Sequence, residues 1–224
     1  MPVALDTSTR LWQSEVSDGR TRPRPLPMPD TSSDTRLSRA ITACDRVNSL
    51  DPRRQRFNGR DRPRELVFSE RVAHWLLRLA PGASDTVRLA AAGHTLRRWE
   101  IPRDRYAHDT AGYHAWRDAT AAHSSEHAGA LLRSIGYPEE HIRRVCRLIR
   151  REDGPGDPDA QLLEDADCLA FLELKLVDYL DRWDGETLTR ILYGTWMKMS
   201  GPARTLARQA PFDPRISPWL AQLP

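Results

Sequence analysis

His94 ends a run of small residues, Ala90-Ala91-Ala92-Gly93, and opens a run dense in charge and aromatic rings, Thr95-Leu96-Arg97-Arg98-Trp99-Glu100. At helical spacing Val87, Ala90, Ala91, His94 and Arg98 share one face. An imidazole and a guanidinium then leave a seam whose other side chains are too small for ordinary surface, which reads as the lining of a pocket. The alternative is a core histidine satisfied by a neighbouring carbonyl. Farther on, Leu162-Leu163-Glu164-Asp165-Ala166-Asp167-Cys168-Leu169 sets Asp165 on a stripe with Leu162, Leu169, Leu172 and Leu176. A carboxylate on a buried stripe needs a cation, a metal or a hydrogen-bond donor. It either serves a site or pairs with an arginine such as Arg98 to lock two helices. Together with His123 from an intervening helix, His94 and Asp165 form a candidate set of divalent-metal ligands, with open positions for water and a phosphate. Arg98, Arg103 and Arg117 are the candidate phosphate clamp, since a guanidinium offers forked, permanently charged donors. His94, Glu164 and Asp165 are the candidate catalytic groups.

Other patterns carry less. His123-Ser124-Ser125-Glu126-His127 has the His-x-x-Glu-His order of inverted zinc peptidases, but no segment reads as the seam that would hold a substrate strand. Lys198-Met199-Ser200 is a fragment of the nucleotide-binding loop of class I aminoacyl-tRNA synthetases. It lacks the parallel sheet and companion motif those enzymes need, so Trp196, Lys198 and Met199 read as packing at a helix end. No Ser or Cys sits in a glycine elbow, so nothing supports a nucleophilic triad. Cys44, Cys146 and Cys168 lie far apart without metal spacing and read as small core residues.

The elements that must position these groups are helices. Residues 1–36 are rich in Ser, Thr, Pro, Arg and Asp and are expected to be a disordered leader. A helix is expected from about Ser38 to Asp51, carrying Leu37, Ile41, Cys44 and Val47 on its apolar side. It leaves Asp45, Asn48 and Asp51 as capping groups or as an edge of the pocket. A polar loop over 53–64 follows, then helices over 65–79, 85–99, 115–135, 139–151, 160–181 and 186–200. No segment shows convincing period-two alternation. The expectation is therefore an all-α bundle of about seven helices, with one domain over 37–210 and a C-terminal extension over 211–224.

Composition narrows the partners. The net charge is +3, and up to Arg64 thirteen arginines face eight acids, so the remainder is close to neutral. A nucleic-acid surface is not expected, because no one-sided basic stripe is left in the domain. No run approaches eighteen apolar residues. With no basic-then-apolar opening either, neither a membrane span nor a secretory signal is expected, and the cytoplasm is the default compartment.

The spacing of His94, His123 and Asp165 resembles the HD superfamily of metal-dependent phosphohydrolases. There a helix ends in His-Asp and a later helix presents Asp in an Asp-Ala-Asp-x-Leu context, matched here by Asp165-Ala166-Asp167-Cys168-Leu169. This chain departs from that pattern. Thr95 stands beside His94 where Asp is expected, and Phe68 stands where the first histidine is expected, with His74 as a substitute on another face. A closer resemblance runs over about 38–210. Asp45-x-x-Asn48-x-x-Asp51-Pro52, His94-x-x-Arg97-Arg98-Trp99-x-Ile101-Pro102-Arg103, Gly112-Tyr113-x-x-Trp116-Arg117, Gln161-x-Leu163-Glu164-Asp165 and Thr195-Trp196-x-Lys198-Met199-Ser200 look like domain-of-unknown-function family 4202. These resemblances imply an HD-like helical domain that binds, and as an enzyme would hydrolyse, a phosphorylated small molecule or nucleotide, with a divalent metal ion as cofactor. The alternative is a ligand-binding or partner-binding helical domain without turnover, keeping a relic metal site.

Overall fold

The computed structural model describes residues 31–154 and 156–224, so the expected leader lies largely outside the described residues. The first helix, α1 (Thr31–Asn48), begins before the expected Ser38 and buries Leu37, Ala40 and Cys44 on one stripe. The stretch read as a polar loop is an antiparallel hairpin of β1 (Arg54–Phe57) and β2 (Arg60–Pro63), pairing Arg54 with Pro63 and Phe57 with Arg60. Its strands are mostly polar and half exposed, which hides the usual alternation. The signal present was the turn dipeptide Asn58-Gly59, whose φ values of 50° and 75° are the pair a two-residue hairpin demands.

The helix α2 (Arg64–Leu79) buries Val67, Phe68, Val72, Trp75 and Leu76. The next, α3 (Asp85–Gly93), starts where Ser84 Oγ accepts the Val87 amide. It stops at Gly93, short of the expected Trp99. The chain then turns through Arg97 in the left-handed region (φ 54°) into a 3-10 turn over Arg98–Glu100, followed by a second over Arg103–Arg105. Capped by Asp109, α4 (Thr110–Ile135) starts earlier than expected and ends at Gly136, with φ 89°. After α5 (Glu139–Arg150), Arg151 takes φ 58°. The long apolar helix expected over 160–181 is broken at Lys175 into α6 (Pro158–Leu174) and α7 (Leu176–Leu180). Then come α8 (Gly185–Lys198), α9 (Gly201–Gln209) and α10 (Ser217–Ala221).

The described residues are thus all-α apart from the hairpin, with ten helices where about seven were expected. The surplus is the short ones, α7, α9 and α10. In the core α2 lies along α6, α4 lies along α5, and α3 sits between α2, α5 and α6. The last turn of α3 comes so close that a Cβ at Gly93 would stand 3.1 Å from Ala128 Cβ and 3.2 Å from Ile149 Cδ1. Segment 211–224 is docked through buried Ile216 and Leu220, and Trp196 Nε1 donates to the Pro224 carbonyl at 2.8 Å. The three cysteines are free and buried, as expected of core residues, and burial pushes the Cys44 thiol up to about 12. Among the described residues no helix is long and apolar enough to cross a membrane.

Candidate functional site

His94 caps the C-terminus of α3 with its ring almost enclosed. Its Nδ1 lies 2.7 Å from the Ala91 carbonyl. A carbonyl only accepts, so Nδ1 carries the proton. The other nitrogen, Nε2, stands 3.3 Å from Asp167 Oδ1 on α6 but makes no aligned hydrogen bond. Both readings of His94 therefore hold at once: one nitrogen is satisfied by a carbonyl and the other is turned to a carboxylate in a cleft. On the other side of Asp167, Arg151 Nη2 lies 3.4 Å from Oδ2, while Arg151 Nε reaches Glu164 at 3.1 Å and Lys198 Nζ approaches Glu164 at 3.5 Å. Arg151 and Arg97 are two of only three non-glycine residues with positive φ among the described residues. Backbone held in this region is strained and persists where the surroundings over-determine it.

Around this network the cleft has two chambers that share His94, Ile149, Arg151 and Asp167. The smaller, of about 70 Å³, gathers Arg98, Arg117, Arg151, Lys175 and Lys198 around Asp167 and His94. Arg98 lies over the Trp116 ring at 4.7 Å, Arg117 has a buried Nε with no partner, and Lys175 Nζ sits 3.4 Å above the Phe68 ring. None of these three cations has a carboxylate within ion-pair distance among the described residues. The larger chamber, of about 170 Å³, has an apolar floor of Leu148, Ile149 and Leu163 under a polar rim of Asp153, Asp157, Gln161 and Glu164. Arg144 fixes that rim by bridging Asp153 and Asp157 at 2.6 Å and 2.7 Å.

The field in the cleft is visible in two groups. Burial pushes the Asp167 carboxyl up, yet the His94 ring, the Arg151 guanidinium and the Lys175 ammonium together outweigh it and hold the carboxyl well below the usual range. Burial, and after it the charge of Arg98, lowers the Lys175 ammonium to about 7 against the partial opposition of Glu65 and Asp167.

Of the residues singled out from the sequence, His94, Glu164, Arg98 and Arg117 line this cleft. Arg103 does not border it, and its guanidinium donates to the Tyr106 carbonyl at 2.9 Å. Asp165 is not brought to His94. Its carboxylate accepts from the Ser200 amide at 2.7 Å, the Ser200 hydroxyl at 2.5 Å and Gln161 Nε2 at 2.9 Å, so it anchors the N-terminus of α9. Nor does it pair with an arginine among the described residues. The set His94, His123 and Asp165 therefore does not converge, because His123 Nε2 turns to Glu100 at 3.0 Å. The grouping with ligand-like spacing among the described residues is Glu100, His123 and His127, within 4.8 Å of one another, and Arg97 already engages Glu100 there. Thr95, where an HD pattern has Asp, is buried and accepts from Asn48 Nδ2 at 3.3 Å. Asn48 and Asp51 are interior struts: Asn48 also donates to Ser69, and Asp51 accepts the Glu65 amide.

Sequence reasoning missed Arg151, Asp167, Lys175 and Lys198. One signal was available: among 34 basic residues only Lys175 and Lys198 are lysines, and both line the smaller chamber. Lys198, read from the sequence as helix-end packing, faces the cleft, whereas its neighbours Trp196 and Met199 do pack in the core. Neither the curated proteins nor the solved structures contain a match to this chain. A family model described as "Domain of unknown function (DUF4202)" matches residues 38–219, most of the chain and every residue of the cleft, and the chain belongs to that family.

Proposed function

We propose that this cleft binds a phosphorylated small molecule or nucleotide, phosphate first, and that His94 and Asp167 are the groups able to act on it. The observation that carries the reading is the convergence of Arg98, Arg117 and Lys175, none paired with a carboxylate, on a His–Asp pair. Like charges crowded in a recess repel unless an anion joins them, and a phosphate supplies both the charge and several acceptor oxygens. The chambers are smaller than the roughly 300–1,000 Å³ of drug-sized sites. That favours a compact phosphoester, with its phosphate among the cations and its organic part over Leu148, Ile149 and Leu163.

Turnover would be hydrolysis. In its neutral form, with the proton on Nδ1, His94 Nε2 takes a proton from water as it adds at phosphorus and returns that proton to the ester oxygen, which departs as an alcohol and leaves inorganic phosphate. The second reading is binding without turnover, favoured by the poor alignment between Nε2 and Asp167. An HD-like ancestry belongs to this proposal: Phe68, at the position expected for a first histidine, lies 5.9 Å from the His94 ring. The donors do not fit the divalent ion of that superfamily. In the smaller chamber His94 and Asp167 are two ligands among five cationic side chains, and the charge a metal would supply there comes instead from Arg98, Arg151 and Lys175.

The test is calorimetry with inorganic phosphate and sulfate on wild-type protein and on Arg117→Met, alongside phosphate release from a panel of phosphomonoesters. Binding lost in the variant, with release that disappears in His94→Asn, supports the enzyme. Binding without release supports the second reading. No binding of either anion overturns both.

A further inference from the structure

We propose that Lys175 is an amine nucleophile that forms an imine with the carbonyl group of a phosphorylated aldehyde or ketone bound in the cleft. This rests on the phosphate-binding reading above and is independent of the hydrolytic one. Three observations carry it.

The first is residue identity. The chain supplies positive charge almost wholly as arginine, yet the two lysines both face one small chamber. For a phosphate contact alone arginine is the better fork, and what lysine adds is a proton that can leave. The second is the setting. Lys175 sits at the break between α6 and α7, and that break turns its side chain into the chamber. Its Nζ stands over the Phe68 ring with no carboxylate partner, beside Arg98, and desolvation next to another cation is what activates a lysine amine. Its ammonium, lowered to about 7, agrees with that setting. Lys198 provides an internal contrast: it pairs with Glu164 at 3.5 Å and is 43% exposed. The third is a proton carrier. His94 also packs on Phe68, lines the same chamber and has Nε2 beside Asp167 without an aligned hydrogen bond.

In the step proposed, the neutral Nζ adds through its lone pair to the carbonyl carbon, and the carbonyl π pair moves to oxygen. That oxygen leaves as water, one of its protons coming from the amine and the second through His94. The amine nitrogen, still bearing one proton, becomes a cationic iminium. Ammonium plus carbonyl gives iminium plus water, with charge conserved and no oxidant or reductant needed. Asp167, already ionised, balances the iminium charge, and Arg98, Arg117 and Arg151 hold the phosphate.

The experiment uses the full chain with glycolaldehyde phosphate, and unphosphorylated glycolaldehyde for comparison, in the presence of cyanoborohydride, which reduces an imine to a stable secondary amine. Intact mass and peptide mapping locate the adduct. The expected result is one adduct at Lys175, formed about tenfold faster with the phosphorylated aldehyde, suppressed by inorganic phosphate and absent in Lys175→Arg. Preferential labelling of Lys198 or the α-amino group, or equal rates for the two aldehydes, overturns the proposal. The wild-type ratio of Lys175 to Lys198 labelling needs no variant, so a Lys175→Arg protein that failed to fold would not leave the question open. Sulfate-induced thermal shifts separate the two ideas. A shift without a Lys175 adduct sinks the imine alone, and no shift in the wild type sinks the phosphate site on which it rests.

Discussion

At the residue scale the lesson is the choice between two aspartates. Asp165 and Asp167 lie about 200° apart around one helix. An apolar stripe picks out Asp165, the more deeply buried, because a carboxylate among leucines demands a partner. The demand is real, but α9 meets it: the Ser200 amide and hydroxyl both donate to Asp165. Asp167, half a turn away, holds the cleft. Replacing Asp165 by Asn removes charge from two short hydrogen bonds and turns one acceptor into a donor. Asp165→Asn is therefore expected to lower stability by about 1–3 kcal/mol while leaving sulfate affinity unchanged. Chemical denaturation and calorimetry on the same preparation check it, and a stable variant that no longer binds sulfate would return Asp165 to the site.

Lys175 gives a pH prediction at the same scale. An unfolded lysine keeps its proton to about 10.5, whereas the folded one releases it near 7 under the influence of burial, Arg98, Arg64, Glu65 and Asp167. Between those values the unfolded chain binds more protons, so this group makes stability rise with pH across that window. Anion binding runs the other way, since it needs the ammonium. Sulfate keeps its charge throughout, and its affinity is expected to fall roughly tenfold between about pH 7 and about pH 9. In Lys175→Arg most of that fall should vanish. An equally steep fall in the variant would assign the titration elsewhere.

At the scale of elements, the helices with caps and strong apolar stripes were legible: α2, the start of α3 at Ser84, the end of α4 at Gly136, and α5. What escaped were the breaks. α3 ends at Gly93, where Ala128 and Ile149 press close, and Lys175 interrupts a run that is apolar on both sides; local periodicity registers neither break. These same breaks build the site. The end of α3 presents His94, the turn after it presents Arg98, the end of α5 presents Arg151, and the α6–α7 break presents Lys175. A branched side chain at Gly93 would wedge α3 off Ala128 and Ile149. Gly93→Val is expected to cost about 1–3 kcal/mol and to weaken sulfate binding through displacement of His94. Thermal melting with and without sulfate reads both effects, and a variant with wild-type stability would show that this contact has slack.

At the scale of the whole molecule, a net charge of +3 conceals how unevenly the charge is placed. Many arginines are held in ion pairs, such as Arg62 with Glu70, Arg71 with Glu173 and Arg133 with Glu139. The cleft keeps Arg98, Arg117 and Lys175 without a carboxylate partner among the described residues, a grouping that net charge and sequence order both hide. This placement decides how the site relates to metal. In the smaller chamber a divalent ion beside His94 and Asp167 would meet Arg98, Arg117, Arg151, Lys175 and Lys198, a field that attracts anions and repels cations, and in the larger one the carboxylates Asp153, Asp157 and Glu164 are already engaged by Arg144, Arg151 and Lys198. Glu100, His123 and His127, the grouping with ligand spacing, border none of that lining, and Glu100 is bound by Arg97. Anion binding in the cleft is therefore expected to be independent of divalent ions. Sulfate or phosphate should raise the melting temperature equally before and after treatment with EDTA, and His123→Ala should bind the anion as wild type does. Loss of the anion effect on chelation, restored by adding a divalent ion, would mean that a cation does reach His94 and Asp167 despite the surrounding charge, and the arginines and lysines would then have to be re-read as partners of a metal-bound phosphate.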